Sequence, residues 1–286
     1  MHIYPFLAKI LNKLHLLQSF NGSAKIIING KKIDVPLLGR LGYDNLNLSE
    51  PWMSDMLIAL RPLFNGHFID VGVNIGQTLL KAQTVFEKVN YIGFEPNPSC
   101  VNYVQELIRI NGFKNSVLFP IAIGATTIML KLNFFSEDKG DSSATLIENF
   151  KENTQPDHFI FVPVFDLQRI RQFLPEEHSS ILKIDVEGAE LEVLFALQEW
   201  IQTFHPMILL EILPVYSEKN RSRLEKQRKI EEQLRIWNYK VARIKKRDPV
   251  QIEFIETIGI HSKIEDCDYL LIHNSQKQAI SNCFKN

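Results

Sequence analysis

Cysteine is scarce in this sequence. Cys100, Cys267 and Cys283 are odd in number, far apart and in no C-x-x-C spacing. That argues against a disulfide framework or a cysteine-built zinc site and points to reduced thiols in a cytoplasmic protein. Long apolar runs are missing as well. No window reaches the roughly 18 apolar residues of a membrane-spanning helix. Lys9, Lys13 and His15 interrupt the N-terminal apolar stretch that a secretory leader would keep unbroken. Net charge is also nearly absent: 32 basic and 33 acidic residues leave −1. A chain so balanced is not expected to grip nucleic acid by bulk charge. Internal repeats and low-complexity tracts are lacking. The remainder, 286 residues with 45% hydrophobic and 23% charged side chains, suits one large domain with a small appendage.

Residues 1–54 read as that appendage, and residues 55–286 as the main domain. Phe6, Leu7, Ile10, Leu11, Leu14 and Leu17 fall on one helical face, with Lys9 and Lys13 off it. This stripe is expected to pack on its own domain or on a second copy in a homodimer; a helix lying on a membrane surface is the alternative. Lys25–Ile28 and Lys31–Val35 flank Asn29-Gly30, the signal for a hairpin closed by a tight turn of positive φ. Trp52–Leu63 is a plausible helix. From His67 onward strands and helices alternate: strands at His67–Val71, Asn90–Glu95, Ser116–Phe119, Ile181–Asp185, Met207–Ile212, Tyr239–Ile244 and Tyr269–His273, and helices at Gln77–Lys88, Pro98–Ile110, Ala189–Phe204 and Asn220–Trp237. Thr127–Phe135 and Phe159–Val164 read as additional strands. Strands joined through helices pair in parallel by right-handed crossovers. The fold class is therefore α/β, a doubly wound, mostly parallel sheet whose ligands lie at the carboxyl ends of the strands.

The chemistry-bearing motifs fall at those ends. Asp70-Val-Gly72-Val-Asn74-Ile-Gly76 follows the first buried strand. Its glycines admit backbone angles closed to other residues and let a ligand approach the main chain. Backbone N–H groups in such a loop hold a carboxylate, and Asp70 suits a cationic amino group, so a zwitterionic amino-acid end is complementary to both. Neither the phosphate-loop ending nor G-x-G-x-x-G is present. Glu95, in Gly93-Phe-Glu95-Pro96-Asn-Pro98, ends the second strand about twenty residues later. An acid there is placed to accept hydrogen bonds from two ribose hydroxyls.

These residues, with Ala122-Ile123-Gly124 and Lys183-Ile-Asp185-Val-Glu187-Gly188-Ala-Glu190, resemble the FkbM family of methyltransferases over roughly Gly66 to Ile212. Val73 replaces the alanine frequent in the family's loop. The resemblance implies the Rossmann-like class I methyltransferase fold, S-adenosylmethionine as cofactor, and O-methylation of hydroxyls, often on sugars. It implies cofactor contacts from Asp70, Gly72, Asn74, Gly76, Glu95 and Pro96, with Ile123 near the adenine. Gly140-Asp-Ser142-Ser143 is similar to a Gly-x-Ser-Ser element of the family, in which Ser142 closes over cofactor or substrate; as plain sequence it is a turn of small polar residues.

Asp185 and Glu187 end a strand at the mouth of the sheet. Two carboxylates there can orient a hydroxyl, accept its proton or hold a divalent metal, for which Asp185 is the candidate ligand. The structural alternative is that Glu187 and Glu190 serve a helix N-terminus. Glu211, an acid in an otherwise apolar strand, is the third catalytic candidate and needs a partner or a cleft. His205 reads as structural. Arg243, Lys245, Lys246 and Arg247 read as a solvated face, with an anionic glycan or headgroup as the alternative. The expected activity is methylation of a sugar or glycoconjugate hydroxyl. Methylation of a small metabolite, protein or RNA, and a non-catalytic cofactor-binding role, are the alternatives.

Overall fold

A computed structural model of the protein describes residues 2–148, 154–178 and 180–284. The N-terminal section holds β1 (His2–Ile3), α1 (Pro5–Lys13), β2 (Asn21–Ile28), β3 (Lys31–Leu38) and α2 (Pro51–Leu60). The main body follows as β4 (His67–Val71), α3 (Gln77–Val85), β5 (Asn90–Phe94), α4 (Pro98–Asn111), β6 (Ser116–Phe119), β7 (Ala122–Ile123), β8 (Ile128–Phe134), β9 (His158–Phe165), α5 (Leu167–Ile170), β10 (Ile181–Ile184), α6 (Glu190–Ala196), α7 (Gln198–Phe204), β11 (Met207–Glu211), α8 (Arg221–Ile236), β12 (Tyr239–Lys245), β13 (Gln251–Ile255), β14 (Asp268–His273) and α9 (Lys277–Cys283).

The central sheet runs β13-β12-β14-β11-β10-β4-β5-β6. Strands β6, β5, β4, β10 and β11 are mutually parallel, and β14 enters antiparallel between β11 and β12. Strand order reverses between β4 and β10, which opens the crevice where such sheets bind ligands. Strand β10 is buried along its whole length, as a strand covered on both faces must be. Local chemistry fixes the flanking helices: Asn97 caps α4 by accepting from the Ser99 N–H at 3.0 Å, Pro98 supplies the preset φ of its first turn, and left-handed Gly112 ends it.

The structure places two of the expected strands, corrects one helix and adds two elements. The strands at β8 and β9 do not join the main sheet; with β7 they form a separate three-stranded sheet. The first half of β8 is solvent-exposed, so it lacks the two-sided burial of a central strand. The helix expected over Ala189–Phe204 breaks at the buried Leu197 into α6 and α7. Strand β13 and helix α9 had no counterpart in the sequence reading.

The hairpin forms as expected, with Asn29 and Gly30 both at positive φ. Its inner residues Ile28, Ile33 and Val35 join the same core as Leu79, Tyr91 and Leu107. The N-terminal stripe does not pack as a unit. Ala8, Leu11 and Leu17 meet Ala24 and Leu37, while Phe6, Leu7, Ile10 and Leu14 remain exposed. Among the described residues no helix is long and apolar enough to cross a membrane.

Candidate functional site

A cleft of about 1030 Å³, its open mouth included, lies at the carboxyl ends of β4, β5, β10 and β11. Of the residues singled out from sequence, Gly72, Asn74, Glu95, Pro96, Ile123, Ser142, Asp185, Glu187 and Glu211 all line it. Asp70 and Gly76 do not.

Gly72 sits at φ 89°, and a Cβ there would lie 1.8 Å from the Asp185 carbonyl oxygen. Only glycine lets the loop after β4 press against the end of β10. The Gly72 and Asp185 N–H groups donate across the seam to Phe94 and Val71. Glu95 is 6% exposed. Its carboxylate accepts the Asn74 N–H at 2.7 Å and the Asn97 N–H at 2.8 Å. Burial pushes its pKa up to about 7 against the pull of those two backbone bonds. Gly76 caps α3 in a left-handed conformation and packs under Val104 and Leu107.

Asp70 is fully buried behind the wall. Tyr91 donates its hydroxyl to it, and the Lys183 ammonium lies 3.5 Å away. The residue expected to meet a ligand's amino group is thus held inside the protein. Lys183 also pairs with Asp185 at 3.1 Å. Burial works against its charge, but Asp185 and Asp70 outweigh it and hold the amine above its ordinary value. One cation therefore ties the loop strand to the strand bearing Asp185. The sequence reading gave Lys183 no role. The available signal was a lysine inside the apolar run Ile181–Ile184, where a buried charge requires partners.

Beyond Asp185 the acids crowd. Burial, then the charges of Asp185, Asp268 and Glu187, raise the Glu211 carboxyl well above the usual carboxylate range, and a hydrogen bond with Asp185 adds to the rise. Glu211 is then a carboxylic acid at neutral pH and donates its hydroxyl to Asp185. Asp268 lies opposite Glu211 in the sheet register. Burial raises its pKa to about 6, partly offset by Lys246 at 2.6 Å. Glu190 is buried, accepts the Gly188 N–H at 2.8 Å and stays out of the cleft; its work is at the start of α6.

Three non-glycine residues in left-handed conformation border the cleft: Asn74, Glu187 and Glu50. Such backbone is uncommon and clusters at functional sites. Glu50 comes from the N-terminal section, and its carboxylate lies 3.7 Å from the buried Lys81 ammonium. Nothing in the sequence around Glu50 marks it, because its neighbours in space come from α3.

A second, polar cavity adjoins the first. Arg40, Asn47 and Ser49 from the N-terminal section, Gln77 and Thr78 from α3, and Asp138 and Ser142 from the Gly-Asp-Ser-Ser region line it, and Gly72, Asn74, Glu50 and Asp185 are shared by both cavities. That loop is anchored just before Gly140. Asp138 pairs with Arg40, and Asn97 donates to the Lys139 carbonyl at 2.9 Å.

Two further expectations change. Asp185, the candidate metal ligand, is engaged by Lys183 and Glu211, and among the described residues no three His, Cys, Asp or Glu side chains gather as metal ligands. The basic run is not a free cationic face. Arg243 donates to the Ile258 carbonyl at 2.8 Å, Lys245 pairs with Glu253 at 2.9 Å, and Lys246 pairs with Asp268 while lying 5.0 Å over the Trp52 ring. His205 ends α7 with positive φ and stacks on His273 at 3.7 Å, a structural placement.

Methyltransferase 1 of Beauveria bassiana (strain ARSEF 2860) is 27% identical over 164 residues, 51% of this chain and 64% of that protein. Methyltransferase sdnD of Sordaria araneosa is 27% identical over 160 residues, 47% of this chain and 61% of that protein. The match thus spans less than two thirds of either relative. The crystal structure of the FkbM methyltransferase from Methylobacillus flagellatus KT aligns with a TM-score of 0.46 at 14% identity, over 83% of this chain and 51% of that chain. The family model described as the methyltransferase FkbM domain matches residues 70–271, from the acid that opens the glycine loop to the strand β14. The chain belongs to the FkbM methyltransferase family.

Proposed function

We propose that the protein is an S-adenosylmethionine-dependent O-methyltransferase acting on a hydroxyl of a sugar or glycoconjugate. One observation carries the reading. The cleft of the glycine loop and the polar cavity meet at Asp185, which, of the three carboxylates that border both (Glu50, Asp141 and Asp185), is the one placed directly after a central strand, β10.

The residues of the first cleft fit the cofactor. Glu95 is fixed by two backbone N–H groups and still lines the cleft, as an acceptor of ribose hydroxyls must. Pro96, Ile123 and Phe94 offer the apolar surface an adenine needs, and the Gly72–Asn74 backbone leaves room for the amino-acid end. The bound cofactor supplies an activated methyl group. The protein's own work is to position the acceptor, keep water out and take a proton. Asp185 is the proposed base: its oxygen takes the hydroxyl proton, while Lys183 and the protonated Glu211 hold the carboxylate in place. Glu187 borders the same point and is proposed to orient the acceptor.

The amide, hydroxyl and charged groups of Arg40, Asn47, Ser49 and Gln77 suit a polyhydroxylated acceptor. Residues 1–54 are therefore proposed to be the acceptor-side wall of the site rather than an independent appendage. The test is transfer of an isotope-labelled methyl group into extracts digested separately with glycosidase, protease or nuclease. The reading requires label in material that glycosidase releases, as an O-methyl sugar by mass spectrometry. Label that follows protease or nuclease instead, or no label in any fraction, overturns it.

A further inference from the structure

The N-terminal helix exposes what a folded protein ordinarily hides. On α1, Phe6, Ile10, Leu14 and Leu7 lie within an arc of about 100°. Phe6 is 70% exposed and Leu14 59%; Tyr4 before the helix and Leu16 after it are exposed too. Ala8, on the far side, and Leu11, at the edge of the arc beyond Leu7, already hold the helix to the hairpin, so the exposed arc is surplus to folding. Lys9 and Lys13 border the arc and are exposed.

Charge identifies what covers it. Residues 1–33 contain Lys9, Lys13, Lys25, Lys31 and Lys32 and no acid; all 33 acidic residues lie beyond them. In space the first acid, Asp34, reaches back to His2 at 3.0 Å and Lys31 donates to the Gln83 carbonyl at 3.1 Å, so the cations beside the arc itself are Lys9 and Lys13. A second copy is a poor occupant, since pairing through the arc would bring Lys9 and Lys13 of the two copies together. A sheet of anionic headgroups over an apolar layer matches both features: exposed apolar and aromatic side chains enter the boundary, and lysines meet the headgroups.

We infer that Tyr4–Leu16 is a docking surface for an anionic lipid membrane. The section that docks is also the one that forms the wall of the polar cavity through Arg40, Asn47 and Ser49, so docking holds that wall near the lipid surface. The inference does not depend on the proposed activity, and its test needs no acceptor.

The test is co-sedimentation of the full chain with phosphatidylcholine vesicles, with and without about 30% phosphatidylglycerol. Binding is expected with the anionic vesicles only, falling steeply at about 0.5 M salt. Phe6→Ser/Ile10→Ser and Lys9→Glu/Lys13→Glu should each weaken binding by about tenfold or more. These side chains are solvent-facing, so the thermal midpoint of each variant should match that of the parent, which separates lost docking from lost folding. Failure of the parent chain to sediment with either vesicle overturns the inference. So does binding that both double variants retain, or a dimer in sedimentation velocity that the Phe6→Ser/Ile10→Ser variant dissolves.

Discussion

The two cavities that share Asp185 are built in opposite ways. The first is made from strand ends and the turns directly after them: Gly72 and Asn74 after β4, Glu95 after β5, Asp185 and Glu187 after β10, Glu211 at the end of β11. Its polar groups are fixed by backbone bonds, as Glu95 is, or by an ion pair, as Asp185 is by Lys183. The second is made from loops and the N-terminal section, with side chains that mainly hold one another, as Ser49 does with Gln77 at 2.5 Å. The difference teaches where each specificity resides. On the proposed reading, a common cofactor is held by the scaffold, and an acceptor particular to the protein is met by parts added to it.

Variants test that division. The largest effect is expected at Asp185, the proposed base. Asp185→Asn should lower turnover by about 10²–10⁴-fold, while cofactor affinity by calorimetry stays within about tenfold. Loss of binding with unchanged turnover per bound complex would instead make Asp185 a cofactor residue. Next, Glu95→Ala should weaken S-adenosylhomocysteine binding by about 1–3 kcal/mol and leave acceptor KM unaltered. Equal losses on both sides would show that the cavities are one. Ser49→Ala with Gln77→Ala should raise acceptor KM by about 2–10-fold, with cofactor affinity unchanged. Glu211→Gln should have a smaller effect than Glu211→Leu, because an amide N–H can replace the proton that Glu211 donates to Asp185. A Gln variant as impaired as Asp185→Asn would make Glu211 itself the base.

The smallest effect is on stability. Glu95 has an ordinary pKa of 4.5 and is raised to about 7 in the folded protein. Between those values the folded state binds the proton and the unfolded state does not, so stability falls as pH rises through that window. Glu190, with the same pair of values, adds to the slope. Thermal melts of the ligand-free protein from about pH 4.5 to about pH 7 should show a declining midpoint, less steep in Glu95→Gln. A variant with an unchanged slope would mean that Glu95 is not protonated in the fold.

The same division explains what was legible in the sequence. The strand-end site was readable because local rules set it: a glycine loop after a buried strand, an acid about twenty residues on, a second acid closing Ile181–Ile184. Helix α4 was readable from Asn97-Pro98 and Asn111-Gly112 for the same reason. Glu50 was not, because its left-handed backbone and its approach to Lys81 are tertiary facts. Asp70 and Lys183 were visible as residues, but whether a strand acid faces ligand or core depends on which neighbour brings a cation. The periodicity of α1 foretold a helix and could not tell which side the hairpin would take.

The contact of Gly72 with the Asp185 carbonyl also has a mechanical meaning. In most sites the spacing between a binding group and a reacting group rests on two side chains, each with rotamers to drift among. Here it rests on backbone against backbone, at a separation that leaves no room even for a methyl group. Thermal motion that shifts the cofactor loop must carry the end of β10 with it, so alignment survives movement of the whole. The same joint makes position 72 a shared point of failure. Any side chain placed there would displace, in a single step, the glycine loop proposed to hold the cofactor and the strand end that carries the proposed base, Asp185.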